Sequence, residues 1–536
     1  MKIASKFLAV FGVLGFLFLS KTSRAEDPKP ADEPASEPAD ILPSIEEVTV
    51  AVKQTGAAFR RDASLFGGYP RGWTTDQKNA ISEGSQSPTL IEIQPPGTPA
   101  IGLAWVEAWK VTHDPLYLQA AREVAQALIW TQLSSGGWPS EFDFHPESSA
   151  KYHTRRDVLA GDTEMGKRSA RSTLDDNKTQ SALLFLLELA YLEPSKGDAV
   201  LREALDFGLD SLLAAQAPNG GWPQMYSGPA DPSLPADLKA TYDENWSRTF
   251  PHVDYTPWYT LNDGNIYLVT RLMERAYELT GDERFVESMK RTGEFLIAAQ
   301  LPEPHPAWAQ QYDHAMKPAW ARKFEPPGVS SLESRWALET LREVWLVTGD
   351  EKWLVPFDSA MKWLRSVRLD DGRWSRLYEL GTNKPLYLMA ETYEVTYDDS
   401  NLPTHYGFKL DADFGEGLDK LEDEIAAGRE EVLRRRRPMT QEKSWAKSAR
   451  AKRRDVRQAL KEIDKRGHWL NEEGELDSRL FLKRFNALVH YLEGAKNGGA
   501  VFEELWKASQ PPPAPPQPEV PGQDAAEKPE KSVEKS

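Results

Sequence analysis

The chain has 536 residues, with 65 Lys and Arg against 82 Asp and Glu. Its formal net charge of −17 argues against a nucleic-acid partner and means that an anionic polymer is repelled unless cations intervene. With no cysteine, disulfides, thiol catalysis and cysteine-based zinc sites are excluded, while 18 tryptophans promise a large core and flat faces of the kind that stack on sugars.

Residues 1–25 have the three parts of a secretory signal: Lys2 and Lys6, an apolar run from Phe7 to Leu19, and small residues around Ser23-Arg24-Ala25. That run is too short to span a bilayer, and no later stretch is long enough. The expectation is a secreted or periplasmic protein with no membrane contact after signal cleavage, and a monomer. Residues 26–40, rich in Pro, Ala, Asp and Glu, read as a disordered linker, because such a composition cannot build a core.

From 41 to about 400 the chain is repetitive. Gln132-Leu-Ser-Ser-Gly136-Gly137-Trp138-Pro139 returns as Gln216-Ala-Pro-Asn-Gly220-Gly221-Trp222-Pro223, and again, without the glycines, as Gln300 through Trp308. The glutamines stand 84 residues apart both times. Every copy follows an apolar helical run (Ala121–Trp130, Ala204–Ala215, Phe285–Ala299), so the Gly-Gly reads as a helix stop and turn. A second string keeps step: Trp109 to Asp114, Tyr277 to Asp282 and Trp345 to Asp350. Two helices per period, none able to bury its own apolar face, predict a mainly α fold, an (α/α) toroid of repeated helix pairs. Only Trp374–Tyr378 and Glu394–Asp398 have β character. Residues 401–508 are charged and helical in pattern, including Arg434–Arg437, and predict a charged helical C-terminal appendage. The proline and Glu-Lys tail at 509–536 reads as disordered.

Two acidic strings open helices. Ser172-Thr173-Leu174-Asp175-Asp176-Asn177-Lys178 precedes the apolar run Ser181–Tyr191, and Tyr259-Thr260-Leu261-Asn262-Asp263-Gly264-Asn265 precedes Ile266–Tyr277. Taken singly, such acids are ordinary helix N-caps. Asp176 and Asp263, however, occupy corresponding places in successive repeats, which would set them on one rim of a toroid. With amide oxygens from Asn177, Asn262 or Asn265 they suit a hard cation such as Ca²⁺. Pro318 to Pro327, holding Arg322 and Lys323 between prolines, predicts a shaped loop, and His305 to Asp313 is rich in groups that stack on sugars or hydrogen-bond to them.

These strings together resemble the polysaccharide lyase family ten pectate lyases, the pectic acid lyases, which are built on an α/α toroid. The likeness runs through Thr173 to Gln180, Gly220 to Gln224, Asn262-Asp263, Trp308 to Asp313, Ala321 to Pro327 and Glu333-Ser334, and extends to Trp374 to Glu379 and Thr382 to Pro385. It implies calcium-dependent β-elimination of polygalacturonate, an acidic polysaccharide, to 4,5-unsaturated products. It also implies Asp176 and Asp263 as calcium ligands and Arg322 as the base. The expected substrate contacts are Asn177, Asn262, Lys317, Lys323, Arg376 and Tyr378, with Lys317 and Lys323 as fallback bases. An arginine base conflicts with a pKa above about 12, which nearby Ca²⁺ and desolvation would both lower.

Two stretches depart from the family pattern. His252 to Pro257 has no Lys or Arg where the family sets a basic residue before the Asn-Asp string, and Met389-Ala390-Glu391-Thr392 stands where the family carries Gly-Arg-Asp-Gly. The subsites then fit a different or partly esterified uronan, or the chain keeps the fold as a non-catalytic uronan-binding protein. A toroid-class glycoside hydrolase using Asp176 and Asp263 as its two carboxyls is a further alternative. Triterpene cyclases share the Gln-x-x-x-Gly-x-Trp repeat, but their Asp-x-Asp-Asp acid motif is absent here.

Overall fold

A computed structural model describes residues 41–511. The expected signal peptide (1–25), linker (26–40) and residues 512–536 of the tail lie outside the described residues.

The helices come in pairs. α1 (Ile45–Ala63) is followed by α2 (Thr98–Thr112) and α3 (Pro115–Thr131), α4 (Lys178–Ala190) and α5 (Ala199–Ala215), α6 (Asn265–Thr280) and α7 (Glu283–Ala299), and α8 (Ser331–Thr348) and α9 (Phe357–Ser366). After residue 400 come α10 (Ala412–Ala427), α11 (Arg429–Arg435), α12 (Glu442–Ala451), α13 (Arg453–Lys461), α14 (Ser478–Asn497) and α15 (Gly499–Ser509). Contacts run α14–α2–α4–α6–α8–α10, and α1, α3, α5, α7 and α9 back the inner helices. The result is the expected α/α toroid, and the predicted helical runs fall within its helices, except that Ser181–Tyr191 ends one residue past α4. Among the described residues, no helix is long and apolar enough to cross a membrane.

Both repeated strings have a mechanical meaning. The second one turns each inner helix into its outer partner. Thr112, Thr280 and Thr348 hydroxyls donate to the carbonyl four residues back and accept from the N–H of Asp114, Asp282 and Asp350. Asp114 and Asp282 then cap α3 and α7, and Asp350 caps the short 3-10 turn Glu351–Leu354 that precedes α9. The first string ties neighbouring pairs: Gln132 Nε2 donates to Gly136 O and, on the next outer helix, to Ala204 O, while Gln216 Nε2 donates to Gly220 O and Ser288 O.

The tight turn in that string recurs twice more than the sequence reading found. Leu133 N–H to Gly137 O and Gly136 N–H to Leu133 O are matched at 369–373 and at 464–468. Gly136, Gly220, Gly372 and Gly467 all take φ between 85° and 94°, where any side chain is strained. Trp138, Trp308, Trp374 and Trp469 each donate Nε1–H to a carbonyl of the preceding outer helix.

The segment after 400 is charged and helical, as predicted, and it is seated in the ring wall. α14 packs against both α1 and α2, with Phe481 stacked on Phe59 at a centroid distance of 3.7 Å and Phe485 edge-on to Trp105. Tyr491 Oη donates to Pro43 O, and Leu42 N–H to Ser509 Oγ, so the two ends of the described chain close the circle.

Short strands stitch one rim. Ser172–Thr173 pairs with Met225–Tyr226, Tyr259–Thr260 with Gln311–Tyr312, and Val329–Ser330 with Leu377–Tyr378. They hold the loops that enter α4, α6 and α8. The β character expected at Trp374–Tyr378 and Glu394–Asp398 appears as strands Trp374–Ser375, Leu377–Tyr378 and Val395–Thr396.

Candidate active site

Asp176 and Asp263 both sit on left-handed backbone, at φ 48° and 50°, in single turns that lead from a rim strand into α4 and α6. Neither turn makes a side-chain capping bond, so the N-cap reading of these acids does not hold. Instead the turns aim the carboxylates at one another: one oxygen each of Asp175, Asp176 and Asp263 lie within 4.8 Å of each other. Asp175, which sequence reasoning passed over as part of the string, completes the cluster.

Three cations surround these acids. Lys178 Nζ is 3.3 Å from Asp175 and 3.5 Å from Asp176, with its side chain only 4% exposed. Arg376 Nη2 donates to Asn262 Oδ1 at 3.0 Å, to Asp263 Oδ1 at 3.1 Å and to Glu333 Oε1 at 2.7 Å. Arg322 Nη2 lies 3.6 Å from Asp263 Oδ2, its Nε and backbone N–H donate to Glu325 Oε2 at 2.7 and 3.0 Å, and its Nη2 bonds the other Glu325 oxygen.

Burial and then the neighbouring acids Asp175 and Asp263 raise the Asp176 carboxyl to about 6, and burial raises Asp175 as well. Carboxylates that remain this crowded beside Lys178 are what an oxygen-seeking cation relieves, so the donor set fits Ca²⁺. Burial works against charge on Arg322, yet its bonds to Glu325 and the pull of Asp263 and Asp175 win, and its pKa is raised. In these surroundings Arg322 is a fixed guanidinium, the opposite of what the base role expected of it.

A titration follows from the Asp176 shift. A carboxyl whose pKa is raised on folding contributes stability at low pH that is lost as pH rises through its folded value, here about 6. Asp176→Asn removes that loss. In chelator at neutral pH the variant is expected to be more stable by up to about 1 kcal/mol, and a calcium ion held by these acids would add about 3 kcal/mol of stability to the wild type at a hundredfold excess over Kd, an increment the variant is expected to lose. Scanning calorimetry with and without calcium checks both.

Other expected contacts fare differently. Asn177 adjoins the cluster in a left-handed conformation, and Asn262 is buried with its amide oxygen taken by Arg376. Lys317 points away to pair with Asp243 at 2.9 Å. Lys323 is exposed, with Nζ 4.0 Å from the Tyr393 ring centroid. Tyr378 is not a substrate contact: it is 1% exposed and its hydroxyl donates to Val367 O. Arg376 is 6% exposed, and its Nη2, engaged by Asn262, Asp263 and Glu333, positions Asp263. At the two stretches that depart from the family pattern, Arg171 reaches Asp254 and Thr256 in the first, and Lys323 lies over the ring of Tyr393, the residue after the second.

Residues 150–373, the span that holds all three strings of the rim, match the pectic acid lyase family. The pectic acid lyase region is thus a polysaccharide lyase domain carrying the acidic cluster and Arg322. Among solved structures, it is similar to a mutant family 10 polysaccharide lyase from Cellvibrio cellulosa in complex with trigalacturonic acid (17% identity, 56% of this chain and 91% of that one, TM-score 0.41). A cellobiose 2-epimerase from Spirochaeta thermophila (15%, 61% and 73%, 0.36) and a GH76 α-mannanase from Bacteroides thetaiotaomicron (9%, 85% and 97%, 0.39) are also similar. No curated protein matches the chain.

Proposed function

We propose that this lyase domain cleaves polygalacturonate or a related uronan by β-elimination, with calcium held by Asp176 and Asp263 together with Asp175. The observation that carries the reading is the meeting of three carboxylates from two successive repeats with the Arg322 guanidinium on one rim. In the reaction the C5 proton leaves, its electron pair forms the C4–C5 double bond, and the C4 glycosidic oxygen departs and is protonated. Calcium, when bound, supplies positive charge that neutralises the uronate carboxylate beside C5 and offsets the pull of Asp175 and Asp263 on Arg322.

The chain's own residues set the geometry. Arg376 fixes one oxygen of Asp263 and leaves the other facing Arg322, and Lys178 holds Asp175 and Asp176 together. Arg322 is proposed to accept the C5 proton, for which it must first surrender one of its own. Glu325 opposes this through its two-pronged grip. That grip favours the competing reading, a lyase fold that binds uronan without cutting it. The hydrolase alternative, which needs two carboxyl groups about 5 to 10 Å apart around the bond, predicts saturated products and no dependence on calcium.

The test is the ultraviolet absorbance of unsaturated ends released from polygalacturonate in calcium. Arg322→Ala and Arg322→Lys should each lower the rate by about a thousandfold, within the range for loss of a general base, with helical circular dichroism unchanged. A retained rate moves the base elsewhere, and a wild-type protein that binds the polymer without releasing such ends supports the binding reading.

A further inference from the structure

Beside the acidic cluster a cavity of about 450 Å³ opens between Glu83-Gly84, Pro139–Glu141, Tyr152 and the strand pair that carries Thr173 and Met225. This is a size that holds a small ligand. The cavity adjoins the site: Thr173 in its wall accepts from the N–H of Asp175 at 3.2 Å.

Its charged lining is Glu83, Glu141 and Arg171. Arg171 is already engaged, with Nη2 3.2 Å from Asp254 and bonded to the Thr256 hydroxyl. Glu141 accepts from the hydroxyls of Ser82 and Ser85, so it is oriented without being neutralised by them. Glu83 is 3.9 Å from Arg71, which in turn binds Glu92 at 2.8 Å. The wall is therefore acidic on balance, and Pro139, Tyr152 and Met225 complete it with apolar surface. A free uronate placed here meets like charge. An esterified one does not, and its methyl group gains apolar contact.

We propose that this cavity is a sugar subsite that selects a methyl-esterified uronate unit, next to the free uronate at the acidic cluster. The inference rests on the uronan reading above and refines it.

The test uses the whole protein in calcium. Binding of trigalacturonate and of trigalacturonate methyl-esterified on a single unit is measured by titration calorimetry, and kcat/KM is compared on polygalacturonate and partly esterified pectin. The wild type should prefer the ester in both. Glu83→Gln and Glu141→Gln should each narrow that preference about two- to fivefold, as for removal of one partly screened charge. Preference for the free acid overturns the proposal, as does an Arg171→Gln variant that weakens the acid more than the ester, which would make this a carboxylate-reading subsite. If the ester is preferred but neither polymer yields unsaturated ends, the subsite stands and the cleavage reading falls. If both are cleaved without preference, the subsite alone falls.

Discussion

A chain ended at residue 400 does not fold, although it keeps all of the residues placed in the active site. Ending it there removes α14, whose Phe481, Phe485, Leu488, Val489, Tyr491 and Leu492 are buried. At about 1.5 to 3 kcal/mol for each such side chain, the loss is on the order of 10 kcal/mol, which matches the whole stability of a typical domain. Removal also bares Phe59, Trp105 and Tyr117, which α14 covers through ring contacts, and leaves the outer helix α1 without its inner partner. The shortened chain should be insoluble, or soluble without a cooperative thermal transition. A sharp transition at the wild-type Tm would show that the ring closes without its last helices.

Arg376→Met has the second large effect, and it links stability to the site. The guanidinium is the cation that faces Glu333, whose side chain is 0% exposed and otherwise accepts from Ser330 Oγ and the backbone N–H of Asp263. Removing one partner of a buried pair costs about 3 to 5 kcal/mol, because the other charge stays buried and uncompensated. Chemical denaturation should show a loss of that size. Adding Glu333→Gln should recover most of it, since the buried charge is then gone. Activity should not return with stability: Asp263 loses the bond that aims it and Asn262 loses its donor. A double variant with both stability and wild-type activity would contradict the positioning role of Arg376.

Much of the rim was legible because the repeat made it so. A lone Asp before a helix is a cap, but Asp176 and Asp263 recur one repeat apart, and that correspondence correctly placed them on one rim facing each other. What escaped was set by neighbours that no local pattern carries. Lys178 looks like an ordinary solvated helix-start lysine, yet its ammonium is buried between two carboxylates of its own turn. Tyr378 shares a string with Arg376, but its ring is carried into the core, where its hydroxyl finds Val367 O, a partner far off in the sequence. Arg322 lies beside Asp263 on that rim. Its fork to Glu325, three residues on, was within reach of sequence reasoning and bears directly on the base role. The ring closure was hidden by charge. The segment from 401 to 508 reads as solvated, and the copies at Gly372-Arg373-Trp374 and Gly467-His468-Trp469 lack the glutamine, so the Gly-x-Trp turn was the signal that could have revealed them.

The most direct test of the account is the rate at which chelator-stripped protein releases unsaturated ends from polygalacturonate as calcium is added back. The account predicts no release in chelator, saturable recovery with calcium, and loss of that recovery in Asp176→Asn and in Asp263→Asn. Full activity in chelator, or wild-type recovery in either variant, would contradict it.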